Sequence, residues 1–196
     1  ENTTADNNTA VGYLSLGANT TGAQNVGVGS FSLQSNTQSN RNVALGYNTL
    51  SSHNLTSDTN GYNTCVGFQA GSDITTGVQN TFIGGLVGDT TTTASNNTGV
   101  GYNSLTANTT GSNNVAVGTL SLDANTTGTE NTAIGFAALS ANTTGNFNTG
   151  IGQGALDSVT TSSGNVALGW NAGHVISTVA GNTLLGRSAG DAISTG

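Results

Sequence analysis

The side chains able to do acid–base, nucleophilic or metal chemistry are few here and lie far apart. His53 and His174 are the two imidazoles, Cys65 is the one thiol, and Arg41 and Arg187 are the two permanent cations. Nucleophilic catalysis needs a base within hydrogen-bond reach of the nucleophile, and neither histidine stands in repeat register with Cys65. Asp89, Asp123, Asp157 and Asp191 share one repeat position in alternate copies. A carboxylate row can take Ca²⁺, which wants about six to eight oxygens. On a strand ladder, however, two copies separate successive members by ~10 Å, too far to share an ion. Skipping a copy instead avoids like-charge stacking. The many Gly-x-Gly strings lack the helix that a dinucleotide or phosphate loop requires. The sequence therefore predicts no enzyme, no metal site and no cofactor.

What orders these residues is a repeat, Asn-(Thr/Val)-x-(Val/Ile/Leu)-Gly. It starts at Asn8, Asn25, Asn42, Asn63, Asn80, Asn97, Asn114, Asn131, Asn148, Asn165 and Asn182. Every step is 17 residues except Asn42 to Asn63, which is 21. A short fixed period repeated this often is the signature of a stacked-repeat architecture. Residues 1–196 read as one repeat domain, an uncapped segment of a longer array. Residues 1–7 match the tail of a preceding repeat, with Asn2-Thr3-Thr4 aligned on Asn19-Thr20-Thr21.

Composition narrows the class. Only 6% of residues are charged and no proline occurs, so the chain lacks the charge and proline that mark disorder. A net charge of −7 argues against nucleic acid as a partner. No apolar run reaches the length of a membrane span, and nothing at the N-terminus resembles a signal peptide. Cys65 has no partner for an intrachain disulfide.

Counting from the Asn, position 2 is always Thr or Val, position 4 always aliphatic and position 5 always Gly. β-Branched residues two apart share one face of a strand, and the Gly supplies a turn. Position 9 is Leu in seven copies and Gly in four. Positions 13–15 favour Thr-Thr-Gly, which suits a second strand edge and turn. Seventeen residues are too few for a βαβ unit and show no helical period. The expected fold is all-β: a parallel β-solenoid or β-roll of about eleven rungs, roughly 50 Å long at ~4.8 Å per rung. The four-residue insertion near His53–Asp58 is expected to bulge without breaking the stack.

On this reading positions 2 and 4 fill the rung's own core, and position 3 looks the other way. Its occupants include Ala10, Ala44, Cys65, Phe82, Ala116, Ala133, Ala167 and Leu184, and none is polar. In a chain so rich in Asn and Thr, that predicts a second buried face, an oligomer interface along the whole rod built from those residues. One rung buries too few aliphatic side chains to offset the ordering of its backbone, so stacking and lateral association must supply the rest.

Asn42-Val43-Ala44-Leu45-Gly46, Asn114-Val115-Ala116-Val117-Gly118 and Asn165-Val166-Ala167-Leu168-Gly169 resemble the Val-Ala-Ile-Gly repeats of trimeric autotransporter adhesin heads. Similar repeats occur in phage tail fibres. The resemblance covers essentially the whole chain. It implies a left-handed β-roll with three chains around a common axis and position 3 facing the partner chains. The adhesin repeat is nearer fourteen residues than seventeen, and no coiled-coil stalk or membrane anchor is present in this segment. The expected role is a structural or adhesive fibre segment, on a cell surface, secreted, or on a virion tail. Its first partner is itself, as a homotrimer, with glycans or a host surface as further candidates. The alternative is a periodic-surface binder such as an ice-binding solenoid.

The surface positions fit this frame. The repeated Asn could be a ligand ladder, but stacked amides satisfying turn backbone are the simpler reading. Thr-Thr at positions 13 and 14 could form an ice-binding array, yet adjacent residues on a strand point to opposite faces. Sequons at Asn2, Asn19, Asn108, Asn125 and Asn142 share position 12 and, with Asn54, are candidate N-glycosylation sites; Asn7 and Asn96 also start sequons. Tyr13, Tyr47, Phe68, Tyr102, Phe136 and Trp170 share position 6. They could stack on sugars, with packing over the bend after Gly as the competing role.

Overall fold

The computed structural model describes residues 5–191. Among them there are eleven three-residue strands and no helix: β1 (Thr9–Val11), β2 (Val26–Val28), β3 (Val43–Leu45), β4 (Thr64–Val66), β5 (Thr81–Ile83), β6 (Thr98–Val100), β7 (Val115–Val117), β8 (Thr132–Ile134), β9 (Thr149–Ile151), β10 (Val166–Leu168) and β11 (Thr183–Leu185). They lie in chain order in one parallel sheet. Register is position for position, with Ala10 opposite Gly27 and Ala116 opposite Ala133. The fold is a parallel β-solenoid with one strand per 17-residue rung. The insertion leaves the stack intact. Ala44 pairs with Cys65 across it, and the excursion closes at a parallel bridge between Asn40 and Asn60.

The rest of each rung returns through bends. In the rung that starts at Asn97, three non-glycine residues turn the chain in the left-handed region: Asn103 at φ 55°, Leu105 at 54° and Asn113 at 62°. That conformation costs an L-residue roughly 1–2 kcal/mol, and it persists because the rungs above and below fix it. Glycine is required at position 5. There φ reaches 139° at Gly118, and a Cβ would stand 2.6 Å from the carbonyl carbon of Gly135 in the next rung.

The Thr-Thr-Gly stretch, expected as a second strand edge, is a stack of bends. Hydroxyls at position 13 donate to the carbonyl one rung on, as Thr92 to Thr109, Thr109 to Thr126 and Thr126 to Thr143 at 3.0–3.1 Å. Residues at position 14 such as Thr93, Thr110 and Thr127 are exposed.

Two amide ladders run through the interior. The backbone N–H of each repeat Asn donates to Oδ1 of the Asn one rung earlier, in all ten steps from Asn8 to Asn182, at 2.8–3.1 Å. The Nδ2 group closes the rung by donating to a carbonyl 14 residues on, as Asn114 to Gly128 at 2.8 Å. A second ladder at position 12 links Asn142 to Asn125 at 3.0 Å and Asn125 to Asn108 at 2.8 Å. Apart from the half-buried Asn8 and Asn182 at the two ends, these amides are buried. Nearly all their polar atoms are paired, as buried polar groups must be to be tolerated; Asn36 Oδ1 and Asn142 Oδ1 are the exceptions.

The core is thin, and its filling corrects the expected facing of the strand. Position 3 points inward and positions 2 and 4 point outward: in β7, Ala116 is buried while Val115 and Val117 are half-buried. The reason is space. Leu33, Leu50, Leu105, Leu122, Leu139 and Leu156, all at position 9, reach across the rung and are fully buried. Opposite them only a small residue fits; a Cβ on Gly150 would lie 3.3 Å from Leu139 Cγ. Where position 3 is large, position 9 is glycine. Cys65 faces Gly71, Phe82 faces Gly88 and Leu184 faces Gly190.

Candidate functional site

The feature of this rod that lacks a partner within the chain is its outward sheet face. In-register parallel pairing stacks position 2 into a column of Thr and Val, and position 4 into an unbroken column of Val, Leu and Ile. Leu45 is 37% exposed, Ile83 41%, Ile134 39% and Leu168 45%. Large contiguous apolar patches are uncommon on the exposed surface of monomeric proteins.

The interface residues expected from sequence are not on that face. Ala44, Cys65, Phe82, Ala116, Ala133 and Ala167 are fully buried inside the chain's own core, and Leu184 nearly so. Ala10, at the end of the stack, is exposed but shares their alignment. Their apolar character reflects an interior wall, and from Ala44 to Leu184 the chain's own core encloses them.

Beyond the bend at position 5 the position-6 rings form a second strip. Tyr13, Tyr47, Phe68, Tyr102, Phe136 and Trp170 are all exposed. Near the N-terminal end, Phe31 at position 7 joins them. Ring centroids lie 5.5 Å apart for Tyr13–Phe31, 5.7 Å for Phe31–Tyr47 and 5.6 Å for Tyr47–Phe68. Farther along, Tyr102 lies over Gly85 of the preceding rung, whose Cβ would stand 3.6 Å from Tyr102 Cδ2. The Arg187 guanidinium sits 5.0 Å from the Trp170 ring centroid.

The expected glycan acceptors at position 12 are corrected by the same core. Asn19, Asn108, Asn125 and Asn142 are buried, and each Nδ2 donates to the carbonyl three residues on, as Asn108 to Gly111 at 2.9 Å. A glycan on any of them is incompatible with the folded rung. Asn54 is half-buried, its Oδ1 accepting from the Thr37 hydroxyl at 2.6 Å. Asn7 and Asn96 are exposed. Asn2 lies outside the described residues.

The acidic residues at position 10 keep to alternate rungs, and two of them are tied to neighbours. The Thr106 hydroxyl donates to Asp89 Oδ1 at 2.6 Å, and His174 Nδ1 lies 2.6 Å from Asp157 Oδ1. Burial pushes the Asp123 carboxyl above its usual range, opposed by the backbone N–H groups of Asp123 and Ala124. Among the described residues, no group of three or more His, Cys, Asp or Glu is placed to hold a metal, and no pocket opens.

His53 and Cys65 are interior residues. His53 takes the place of an Asn in the position-12 column, fully buried, with Nε2 3.0 Å from Ser39 Oγ. Burial lowers its pKa to about 4, with the Thr75 backbone pulling weakly the other way. Burial pushes the Cys65 thiol well above its ordinary range, with the Phe82 backbone opposing.

Comparison with family models, with curated proteins and with solved structures gave no match to the chain.

Proposed function

We propose that the chain is a segment of a rigid, non-catalytic fibre that works as a homotrimer and presents an adhesive surface, outside the cell or on a virion tail. The observation that carries this reading is the unbroken outward column of aliphatic residues at position 4, flanked by β-branched residues at position 2. An apolar strip running the length of the described rod calls for a cover that runs just as far, and a second copy with the same repeat supplies one in matching register. The likeness of the Asn-Val-Ala-(Leu/Val)-Gly motifs to those of trimeric adhesin heads points to three chains, joined through positions 2 and 4 rather than through position 3.

Light scattering on the eluting protein tests it. The expected mass is three times 19.3 kDa, about 58 kDa. Ile134→Lys, alone or with Val117→Lys, puts a charge in the strip without touching the core, and is expected to give folded protein of lower mass. A monomeric wild type sinks the trimer.

A second reading rests on the same face. Position 2 is Thr in seven rungs and Val in four, so positions 2 and 4 make the flat twin column that positions 13 and 14 do not. Such a column, repeated at the ~4.8 Å rung spacing, suits an ordered ice lattice. Thermal hysteresis at micromolar concentration in a monomeric protein would favour it over the fibre.

A further inference from the structure

Four of the exposed rings obey a stricter rule than membership of position 6. Phe68, Tyr102, Phe136 and Trp170 follow one another at steps of 34 residues, which is two rungs. All four lie after the insertion, where every rung is 17 residues and each strand pairs in register with the next. Two rungs advance the row by ~10 Å. The rungs between carry Gly85, Thr119 and Gln153 at the same position, so the rings stand apart. Each is about half exposed, at 53%, 54%, 52% and 43% in order. The Cδ2–Cε2 edge of Tyr102 lies over Gly85.

We propose that this row is a binding platform for an extended, uncharged, β-1,4-linked polysaccharide chain lying along the rod axis. In such a chain every second sugar presents the same face, so its repeat is a disaccharide, and that unit matches the ~10 Å advance of two rungs. Aromatic rings offer broad apolar faces to the C–H faces of the sugars, while a Tyr hydroxyl keeps a polar tip for their hydroxyl groups. Beside the rings, position 7 supplies the neutral amides of Gln69, Asn103 and Asn171. No carboxylate stands at position 6 or 7 and one cation does, Arg187 against Trp170; the net charge of −7 for the whole chain disfavours a polyanion. The rings are separated from the position-2 and position-4 strip by the bend at position 5. The proposal deepens the fibre reading by naming what the rod would hold, and it rests on that reading only for contact with such a polymer.

The test is depletion of the full chain from solution by microcrystalline cellulose and by chitin, with starch and alginate as comparisons. Binding to the β-linked neutral polymers is expected, with little to starch or alginate. Tyr102→Ala and Phe136→Ala are each expected to weaken it by about tenfold, with melting temperature and scattering mass unchanged. Exchanging the ring between rungs, Gly85→Tyr with Tyr102→Gly, keeps the ring count and breaks the two-rung period; it is expected to weaken binding as much as Tyr102→Ala. The proposal is overturned if no β-linked polymer depletes the protein, if starch or alginate does so equally well, or if the ring variants bind as wild type. It is also overturned if losing the rings dissociates the oligomer, which would assign them to self-association. A wild type that is monomeric yet binds through these rings would sink the trimer and uphold this platform.

Discussion

The Phe82 ring occupies the space into which a side chain on Gly88 would have to project. Six of the rungs instead fill that interior with a fully buried Leu at position 9. In these rungs the core is filled from one wall or from the opposite one. Gly88→Leu is expected to be strongly destabilising, because the new side chain and the ring cannot coexist. Phe82→Ala is expected to cost about 3–5 kcal/mol through the cavity it leaves. The double variant restores the Ala/Leu arrangement of the rungs that carry Ala44/Leu50, Ala116/Leu122 and Ala133/Leu139, and should recover most of both losses. Urea unfolding of the four proteins as a double-mutant cycle reads the coupling. Additive losses would mean that the two residues do not share a volume.

That exchange of walls was written in the sequence, and it decides which way the strand faces. Large residues at position 3 occur only where position 9 is Gly, as in Cys65/Gly71, Phe82/Gly88 and Leu184/Gly190. Residues that exchange volume must share an interior. The rung period, the in-register parallel stack and the harmless insertion were legible because periodicity alone determines them. The facing of positions 2–4 was not legible from alternation, since both faces of this strand are apolar and a one-residue shift exchanges them. The position-12 sequons misled for a related reason. Asn followed by Thr-Thr-Gly reads as a surface turn, whereas here the amide bonds back to its own turn from inside the core.

The Asn ladder should be the costliest polar element to break. Asn114 accepts from the Asn131 backbone at 3.0 Å and donates to Gly128 at 2.8 Å, fully buried. Asn114→Ala leaves the buried Asn131 N–H without a partner, worth about 1–3 kcal/mol, and removes one of the two donors to the Gly128 carbonyl, the other being Asn125 Nδ2 at 3.0 Å. The exposed Asn96→Ala is expected to change stability far less, and comparing the two denaturation midpoints checks the assignment. Equal midpoints would remove the ladder from the account of stability.

Cys65 offers a reporter of local opening. It is fully buried between Ala44 and Phe82 on neighbouring strands, and its thiol is held in the unreactive protonated form by burial. A thiol reagent at pH 8 is expected to leave the native protein unlabelled and to modify the unfolded chain rapidly. In a stack whose rungs contact only their neighbours, fraying should spread from the ends, and Cys65 should label later than a cysteine placed at Ala10. Rapid labelling of Cys65 in native protein would contradict the inward facing of position 3.

His53 sets an acid limit on the same region. In the unfolded chain its imidazole titrates near 6.5, and in the fold burial lowers that to about 4. As pH falls below ~6.5, the unfolded state takes up a proton that the folded state refuses, so stability is present above that value and declines towards pH 4. Over this window the loss attributable to His53 is roughly 3 kcal/mol. Other groups titrate in the same range, so the informative quantity is the difference between wild type and His53→Asn. That variant restores the residue that Asn19 and Asn36 place in this column, and it carries no proton to lose or gain. Urea midpoints measured from pH 7 to pH 4 should converge or cross as wild type loses stability relative to the variant. Parallel curves would mean that the imidazole is protonated inside the fold, with Ser39 and the Thr75 backbone holding the charge.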